Sequence, residues 1–410
     1  MTDRQTQTRF ESYSNQQFQK NFLELLGIVR DSIDFWPPFY FSSILGKPLS
    51  WLPLHTYSEY SLLSPWKPLR ALRYIADTAL PSLPVKPPPL SPPLVKSFFF
   101  RPTIIDRRPD HEGDFTSFPD EAWFFINGIM TNPDVAQINA AYLADLFHRP
   151  ITIIQNTTQG VLIDLKECAF DKEWKTGWGD IQEASRKAFP PIFSALKRTD
   201  KKRVVVITHS QGTIITSVVL NMLRALTSNS QAFGAEGAPA TIGAQFPPVE
   251  LAAPTGEPVF IFPYEGMLEP DDFEPLSIDE LSKLEIFCFA NCANKMTWYS
   301  PHGNAGRPVP WIENFANEYD VVARLGMLAP NQEGNGILID GPIYMRPNAW
   351  GHLLNEHYLK PIDKTQRLRL RKGPQGRDRL APYRLLNAEV FNASSAPRLF
   401  TYINGGSPES

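Results

Sequence analysis

VVVITHSQGTII, the sequence of residues 204–215, is a β-branched apolar run that meets a small polar cluster and then resumes as a second apolar run. The first run has the composition of a buried strand, and the second is typical of an apolar helix. A sharp turn between the two holds Ser210 at its apex, with the hydroxyl projecting away from the backbone. The segment therefore predicts a strand, a tight turn and a helix in immediate succession, and it marks Ser210 as a candidate nucleophile.

Strands and helices alternate on both sides of this unit. In chain order, the sequence predicts a strand at 122–126, a helix at 134–147, a strand at 151–154, a helix at 181–196, a strand at 204–207, a helix at 213–226 and a strand at 284–289. The helix at 181–196 is expected to kink or restart at Pro190 and Pro191. Such alternation is typical of α/β proteins, so we predict a mostly parallel sheet with helices on both faces.

The composition divides the chain into three regions. Residues 1–115 contain a helical apolar pattern and then aromatic, proline-rich sequence, which predicts an N-terminal helical and Pro-rich extension. This extension is either an arm packed against the main domain or a segment that binds a membrane surface or a partner. Residues 116–362 form the predicted catalytic domain, in which 227–279 is an insertion that is either a lid or a flexible excursion. Residues 363–410 are predicted to be a basic C-terminal tail, which could share a lipid-binding face with the arm.

The overall composition argues against several classes of protein. A net charge of −3 gives no reason to expect nucleic acid as a partner, and three cysteines without a pairing rhythm predict no disulfide framework. The chain has no Walker loop, no strand-linked G-x-G-x-x-G and no metal-binding spacing of histidines, so we expect neither a cofactor nor a metal. With no signal-peptide pattern and no stretch long enough to span a bilayer, we expect a cytoplasmic protein, with peripheral membrane contact as an addition.

A serine hydroxyl acts as a nucleophile only beside a base that is itself held by an acid. Gly212 provides one of the small neighbours that a tight strand-to-helix turn requires, whereas Thr208 occupies a position at which glycine is usual. The alternative interpretation is that Ser210 merely caps the following helix, because serine is a favoured cap residue.

Two downstream loops provide an acid and a base. Asp320 follows a predicted sheet segment in the sequence NEYDVV, and His352 precedes a short predicted helix in the sequence WGHLLNEHY. The order of Ser210, Asp320 and His352 along the chain is therefore nucleophile, acid, base. The main rival for the base is His357, and the weaker candidates for base or acid are His209, His302, Asp164 and Glu318.

These motifs resemble those of the α/β-hydrolase superfamily, and in particular its lipases and esterases, over residues 123–359. THSQG resembles the turn that carries the nucleophile, and FINGI at 125–129 resembles the oxyanion loop of lipases, with Asn127 in place of the usual histidine. The resemblance implies an oxyanion hole formed by the backbone N–H groups of Ile129 and Gln211. It also implies that a small-molecule or lipid ester is hydrolysed through an acyl-enzyme. A catalytically silent binding protein and an acyltransferase with the same triad are the alternatives.

Overall fold

An eight-stranded mixed sheet organises the protein. The computed structural model describes residues 57–59, 104–107, 118–128, 133–155, 178–227, 275–301, 307–330, 332, 334, 336–363, 383–388, 390–391 and 396–408. The strands are β1 (Ile104–Arg107), β2 (Glu121–Ile126), β3 (Ile151–Ile154), β4 (Arg203–His209), β5 (Leu284–Phe289), β6 (Lys295–Met296), β7 (Trp311–Tyr319), β8 (Leu338–Ile339), β9 (Ile343–Trp350) and β10 (Arg384–Leu385).

The central strands of the sheet are parallel. Across the sheet the order is β1-β3-β2-β4-β5-β7-β9-β10, while β6 and β8 form a separate two-stranded pair. Neighbours from β3 to β9 are parallel, and β1 and β10 add antiparallel edge strands. β4 lies between β2 and β5, so the residue that follows it is at the middle of the carboxyl edge of the sheet.

Helices cover both faces of the sheet. They are α1 (Pro133–Phe147), α2 (Trp178–Lys197), α3 (Gly212–Ala225), α4 (Ile278–Ser282) and α5 (Val321–Leu325), with a π-helical turn at Leu354–Leu359 and a 3-10 segment at Arg398–Gly405. One buried cluster joins the sheet to α1, α5 and the two turns, and a second joins it to α2, α3 and α4. Successive residues of β4 alternate between them, with Val205 in the first and Val206 in the second. The predicted α/β architecture, a mostly parallel sheet with helices on both faces, is confirmed.

The predicted elements of the central region are present with bounds shifted by at most a few residues. Of the two outcomes expected at Pro190 and Pro191, a restart of the helix is wrong, because α2 continues through both prolines. Prolines remove backbone donors from the helix. Phe189 and Ile192 are nevertheless fully buried against the sheet on either side of the pair, so apolar packing holds the helix together there.

Parts of the two predicted terminal regions contribute to the sheet or its core. β1 lies within the range predicted as an N-terminal extension, and it pairs with β3. β10 and the 3-10 segment lie within the range predicted as a C-terminal tail. The predicted N-terminal helix pattern, the basic run and positions 228–274 of the predicted insertion lie outside the described residues. The two ends of that insertion meet, since Thr227 and Leu276 form a bridge.

Among the helices that the structure describes, none has the length and apolar character needed to cross a bilayer.

Candidate functional site at the carboxyl edge of the sheet

Ser210 occupies a strained turn between β4 and α3. Its φ is +59°, a left-handed conformation that costs a residue other than glycine about 1–3 kcal/mol. The backbone on both sides fixes this conformation, because the Ser210 N–H donates to the carbonyl of Phe289 at 3.0 Å and the Ser210 carbonyl accepts from the Thr213 N–H at 2.8 Å. The predicted strand, tight turn and helix are confirmed.

Two glycines allow the strands to approach this turn. A Cβ atom on Gly128 would lie 2.5 Å from the Cβ of Ser210, and one on Gly212 would lie 2.4 Å from the Ile126 carbonyl oxygen. No side chain fits at either position without displacing the backbone. The residues that follow β2 are therefore held directly against Ser210.

Thr208 fills a space between β4 and α3. Its hydroxyl is fully buried and accepts a hydrogen bond from the Thr216 hydroxyl at 3.1 Å. Thr216 lies on α3 and also contacts the carbonyl of Gly212 at 2.8 Å. A threonine can occupy the position where glycine is usual because its hydroxyl has a hydrogen-bond partner on the helix.

Asp320 and His352 lie in contact. Asp320 follows β7 and His352 follows β9, and the distance from His352 Nδ1 to Asp320 Oδ2 is 2.9 Å. Asp320 also caps α5, because its Oδ1 accepts the backbone N–H groups of Val322 at 2.8 Å and Ala323 at 3.4 Å. The structure thus brings the predicted acid and the predicted base together.

Tyr358 completes the surroundings of the Asp320 carboxylate. Its buried hydroxyl donates to Asp320 Oδ2 at 2.6 Å and accepts the backbone N–H of Asn317 at 3.2 Å. Sequence reasoning missed this residue, because no spacing rule links a tyrosine in the turn after the base to an acid 38 positions upstream. The carboxylate is held by four donors, so its orientation toward His352 is fixed.

Charge pairing sets the protonation preferences of the two groups. Burial opposes charge on both residues, but the attraction between them outweighs it: the pKa of His352 is raised and the pKa of Asp320 is lowered. Asp320 therefore stays ionised and orients the imidazole with its proton on Nδ1. This arrangement leaves Nε2 of the neutral ring with a lone pair.

Two polar atoms of the predicted triad have no partner in the described part of the chain. They are the hydroxyl oxygen of Ser210, which is fully buried, and Nε2 of His352, whose side chain is 32% exposed. Buried polar atoms are normally hydrogen-bonded, so each exception needs an explanation. Because the Ser210 hydroxyl makes no bond to the start of α3, the interpretation of Ser210 as a helix cap is not supported.

His209 connects the serine turn to the histidine loop. Its Nε2 lies 2.8 Å from the carbonyl oxygen of His352, and the two rings are 4.5 Å apart. Burial lowers the pKa of His209 to about 3, so the ring is neutral and donates its Nε2–H to that carbonyl. His209 thereby fixes the backbone of His352, a role that its place in the sequence did not reveal.

The remaining rival residues have structural contacts or lie outside the described residues. His357 Nδ1 accepts the backbone N–H of Leu353 at 2.9 Å, and burial lowers the pKa of His357 to about 4. A Cβ atom on Gly351 would lie 2.5 Å from the His357 ring. Glu318 accepts the backbone N–H of Asn348 at 2.6 Å. Asp164 and His302 lie outside the described residues.

Of the two predicted oxyanion donors, only Gln211 lies among the described residues. Gln211 precedes α3 and follows Ser210 directly, and its N–H therefore belongs to the partly positive end of that helix. Ile129 lies outside the described residues. Asn127 is buried beside the site, and its amide donates to the Gly128 carbonyl at 3.0 Å.

In the parts of the chain that the structure describes, no group of three or more histidine, cysteine or acidic side chains converges as a metal site would require. The chain matches no protein-family model, and no curated protein has a similar sequence.

Proposed function

We propose that the protein is a serine hydrolase of the α/β-hydrolase fold that cleaves a carboxylic ester. One observation carries the proposal. Ser210, in a strained turn, keeps a hydroxyl without a partner at the same sheet edge where a histidine paired with a buried carboxylate keeps its second ring nitrogen without a partner. Strain and unsatisfied polar atoms concentrate where a substrate is to be bound and transformed.

The position of the three residues along the strands supports this assignment. Ser210, Asp320 and His352 each follow the carboxyl end of a strand, β4, β7 and β9 respectively. Open α/β sheets bind their ligands at that edge. The chain order of nucleophile, acid and base agrees with that of α/β-hydrolases.

In the proposed mechanism, His352 Nε2 removes the Ser210 proton as the hydroxyl oxygen attacks the acyl carbon. The Asp320 carboxylate holds the Nδ1–H tautomer and stabilises the imidazolium that forms. The imidazolium then returns the proton to the leaving alcohol, which departs and leaves the acyl group on Ser210. A water molecule repeats the same two steps and releases the acid.

The oxyanion of each tetrahedral intermediate needs donors beside Ser210. The resemblance assigns these to the N–H groups of Gln211 and Ile129, and two features support the assignment. Gln211 lies at the start of α3. Gly128, the residue before Ile129, lies so close that a Cβ atom on it would be 3.1 Å from Ser210 Oγ. Such donors act by stabilising charge that develops only during the reaction.

Aromatic side chains beside the acid and the base support an apolar substrate. Tyr319 and Trp350 are partners in the register of β7 and β9, and they directly precede Asp320 and the Gly351–His352 pair. Both are exposed, by 40% and 41% respectively. Tyr319 also lines a cleft of about 380 Å³ that contains both apolar and polar side chains, including Met327, Leu328, Leu386, Glu318, Arg324 and Gln332, and none of the three triad residues lines it. The preference for a lipid ester or another apolar ester therefore rests on the two exposed aromatic rings.

Labelling with a fluorophosphonate probe tests the proposal. The native chain is expected to be labelled, and Ser210→Ala is expected to abolish labelling. Ser217→Ala is the matched control, because it removes a hydroxyl from α3 that is bonded to the Lys295 carbonyl, away from the turn. Labelling that persists in Ser210→Ala would overturn the assignment of the nucleophile.

The same experiment separates the other candidate functions. A native chain that is not labelled would favour a silent binding protein. A labelled chain that passes its acyl group to an alcohol faster than to water would be an acyltransferase.

A further inference from the structure

Residues 57–59 contact the turn that follows His352. The two carboxyl oxygens of Glu59 accept the backbone N–H groups of Asn355 at 3.2 Å and Glu356 at 3.3 Å. The amide of Asn355 donates to the Tyr57 carbonyl at 2.8 Å, and the Ser58 hydroxyl donates to the Glu356 carboxylate. Almost 300 positions separate these partners along the chain, so this is a tertiary contact rather than local structure.

The contact is buried and anchored to the main domain. Ser58 is fully buried and Glu59 is 6% exposed. The Tyr57 ring stacks on Tyr142 of α1 at 5.3 Å, and Asn355 also donates to the Ile138 carbonyl in the same helix. The three residues therefore join α1 to the first turn of Leu354–Leu359.

The proposed base lies just before this turn. His352 lies two positions before Leu354, with its Nδ1 on Asp320 and its carbonyl on His209. The turn also provides Tyr358, whose hydroxyl holds the same Asp320. A shift of the turn would therefore move the base and a donor to the acid together.

We propose that Glu59 is a positioning residue for His352 and Asp320, and that residues 57–59 are part of the site although they come from the N-terminal region of the chain. The inference rests on the proposed function, because it assigns Glu59 to the proposed triad. Glu59 acts through backbone N–H groups that have no partner inside the turn they begin. It touches neither the serine nor the substrate.

Electrostatics supports the geometry. Burial raises the pKa of Glu59 to about 8, which indicates a carboxyl group held away from water by its surroundings. The titratable groups whose charges act on His352 are Asp320, Cys292, Glu59, His209 and His357. Of the two acids, Asp320 has the larger effect, so the role assigned to Glu59 is placement rather than charge.

The test compares Glu59→Ala with Glu280→Ala. Glu280 is a matched control, because its carboxylate accepts a backbone N–H at the start of α4, from Ser277 at 2.8 Å, on a helix that leads into β5 away from the site. We expect Glu59→Ala to lower kcat for a short p-nitrophenyl ester about ten-fold with little change in KM, because small misplacements of a catalytic group slow the chemical step. Glu280→Ala is expected to lose stability and keep its kcat.

A second measurement does not depend on turnover. The Nδ1 proton of His352, bonded to Asp320, gives a downfield proton resonance that is expected to shift or broaden in Glu59→Ala and to stay unchanged in Glu280→Ala. Glu59→Gln keeps one acceptor oxygen and is expected to lie between native and alanine in both measurements. It replaces the alanine variant if that variant does not fold.

Native kcat and a native Nδ1 resonance in the Glu59 variants would overturn the positioning role. Absence of turnover in the native chain would instead count against the proposed function, while the resonance would still report whether Glu59 holds His352 against Asp320.

Discussion

At the edge where the strands of the sheet begin, Glu121 pairs with Arg149 and Glu285 pairs with Arg398, whereas at the edge where the strands end Ser210 and His352 keep polar atoms without a partner. Both edges belong to the same sheet. They differ in how these residues are paired: ions with partners at the first edge, and the unpaired Ser210 Oγ and His352 Nε2 of the proposed triad at the second.

The edge where the strands begin, called the closed edge, contains two groups of paired ions. Arg149 Nε lies 2.7 Å from Glu121 Oε2, with both side chains almost completely buried, and Arg203 reaches the other oxygen of Glu121 at 3.2 Å. Glu285 accepts from Arg398 at 2.8 Å and from the Tyr402 hydroxyl at 2.7 Å. The contacts of Glu285 bind the 3-10 segment to the start of β5, and Arg203 binds the residues after that segment, Ser407 and Pro408, to the start of β4.

The edge where the strands end, called the open edge, contains a strained residue and polar atoms without a partner. Ser210 is left-handed, Gly128 is pressed against it, and the partners of Asp320 leave Nε2 of His352 unused. A buried ion without a partner would destabilise the fold, whereas a neutral hydroxyl and a neutral imidazole nitrogen can remain unpaired at a modest cost. We infer that the closed edge stabilises the domain and that the open edge is kept for chemistry.

Removal of the proposed base should give the largest effect. We expect His352→Ala to lower kcat for a p-nitrophenyl ester about 10⁴-fold, as loss of a triad member does. His357→Ala is the control, because its ring accepts the Leu353 N–H and its low pKa of about 4 marks a structural group. We expect it to lower stability and to lose far less turnover than His352→Ala; the reverse pattern would exchange the two roles.

Breaking the closed edge should affect folding and not turnover. We expect Arg149→Met to lower the free energy of unfolding by about 3 kcal/mol, because it removes one partner of a buried ion pair. Urea denaturation measures this change, and kcat measured well below the midpoint should stay native. Lys202→Met is the control, since Lys202 pairs with Asp120 at 3.0 Å at the same edge but its side chain is 78% exposed. Reduced turnover in folded Arg149→Met would contradict the separation of the two edges.

Crowding the open edge should have the opposite signature. A Cβ atom on Gly128 would lie 2.8 Å from the His209 carbonyl oxygen and against Ser210, so Gly128→Ala must displace the turn. We expect kcat to fall about 10²-fold, the effect of a misplacement of about 1 Å. Gly336→Ala is a control for the substitution itself, because nothing lies within 4 Å of its added Cβ atom, although its positive φ makes alanine unfavourable there. Native turnover in Gly128→Ala would show that the turn has room to relax.

The sequence predicts more of the open edge than of the closed edge. The apolar runs of β4 and α3 and Gly212 predict the turn, because local chain geometry requires them. The pairing of Asp320 with His352 was expected from their order. A local sequence pattern cannot identify Glu59, because its partner Asn355 is 296 positions away. It also cannot identify Tyr358 as a donor to Asp320. The ions of the closed edge stand at strand ends, where a sequence gives no sign that a distant segment will bury them.

The pH dependence of kcat/KM should identify the base. It is the smallest of the expected effects. The pKa of His352 is raised above 6.5, and the base must be neutral to accept a proton, so kcat/KM should fall as the pH drops through that raised pKa. The pKa values of His209 and His357, about 3 and about 4, are too low to produce this acid limb. A limb near pH 4 would therefore point to His357.

The same ionisation should act on stability with the opposite trend. A folded pKa above the unfolded value stabilises the protein fully below pH 6.5, and this contribution disappears as the pH rises through the folded pKa of His352. Asp320→Asn removes the carboxylate that raises this pKa, so it should move the acid limb of kcat/KM to lower pH and remove the alkaline loss of stability that His352 causes. Arg149→Met should move neither. An acid limb that stays in place in Asp320→Asn would mean that a group other than the Asp320–His352 pair controls the reaction, and the contrast between the two edges would then concern stability alone.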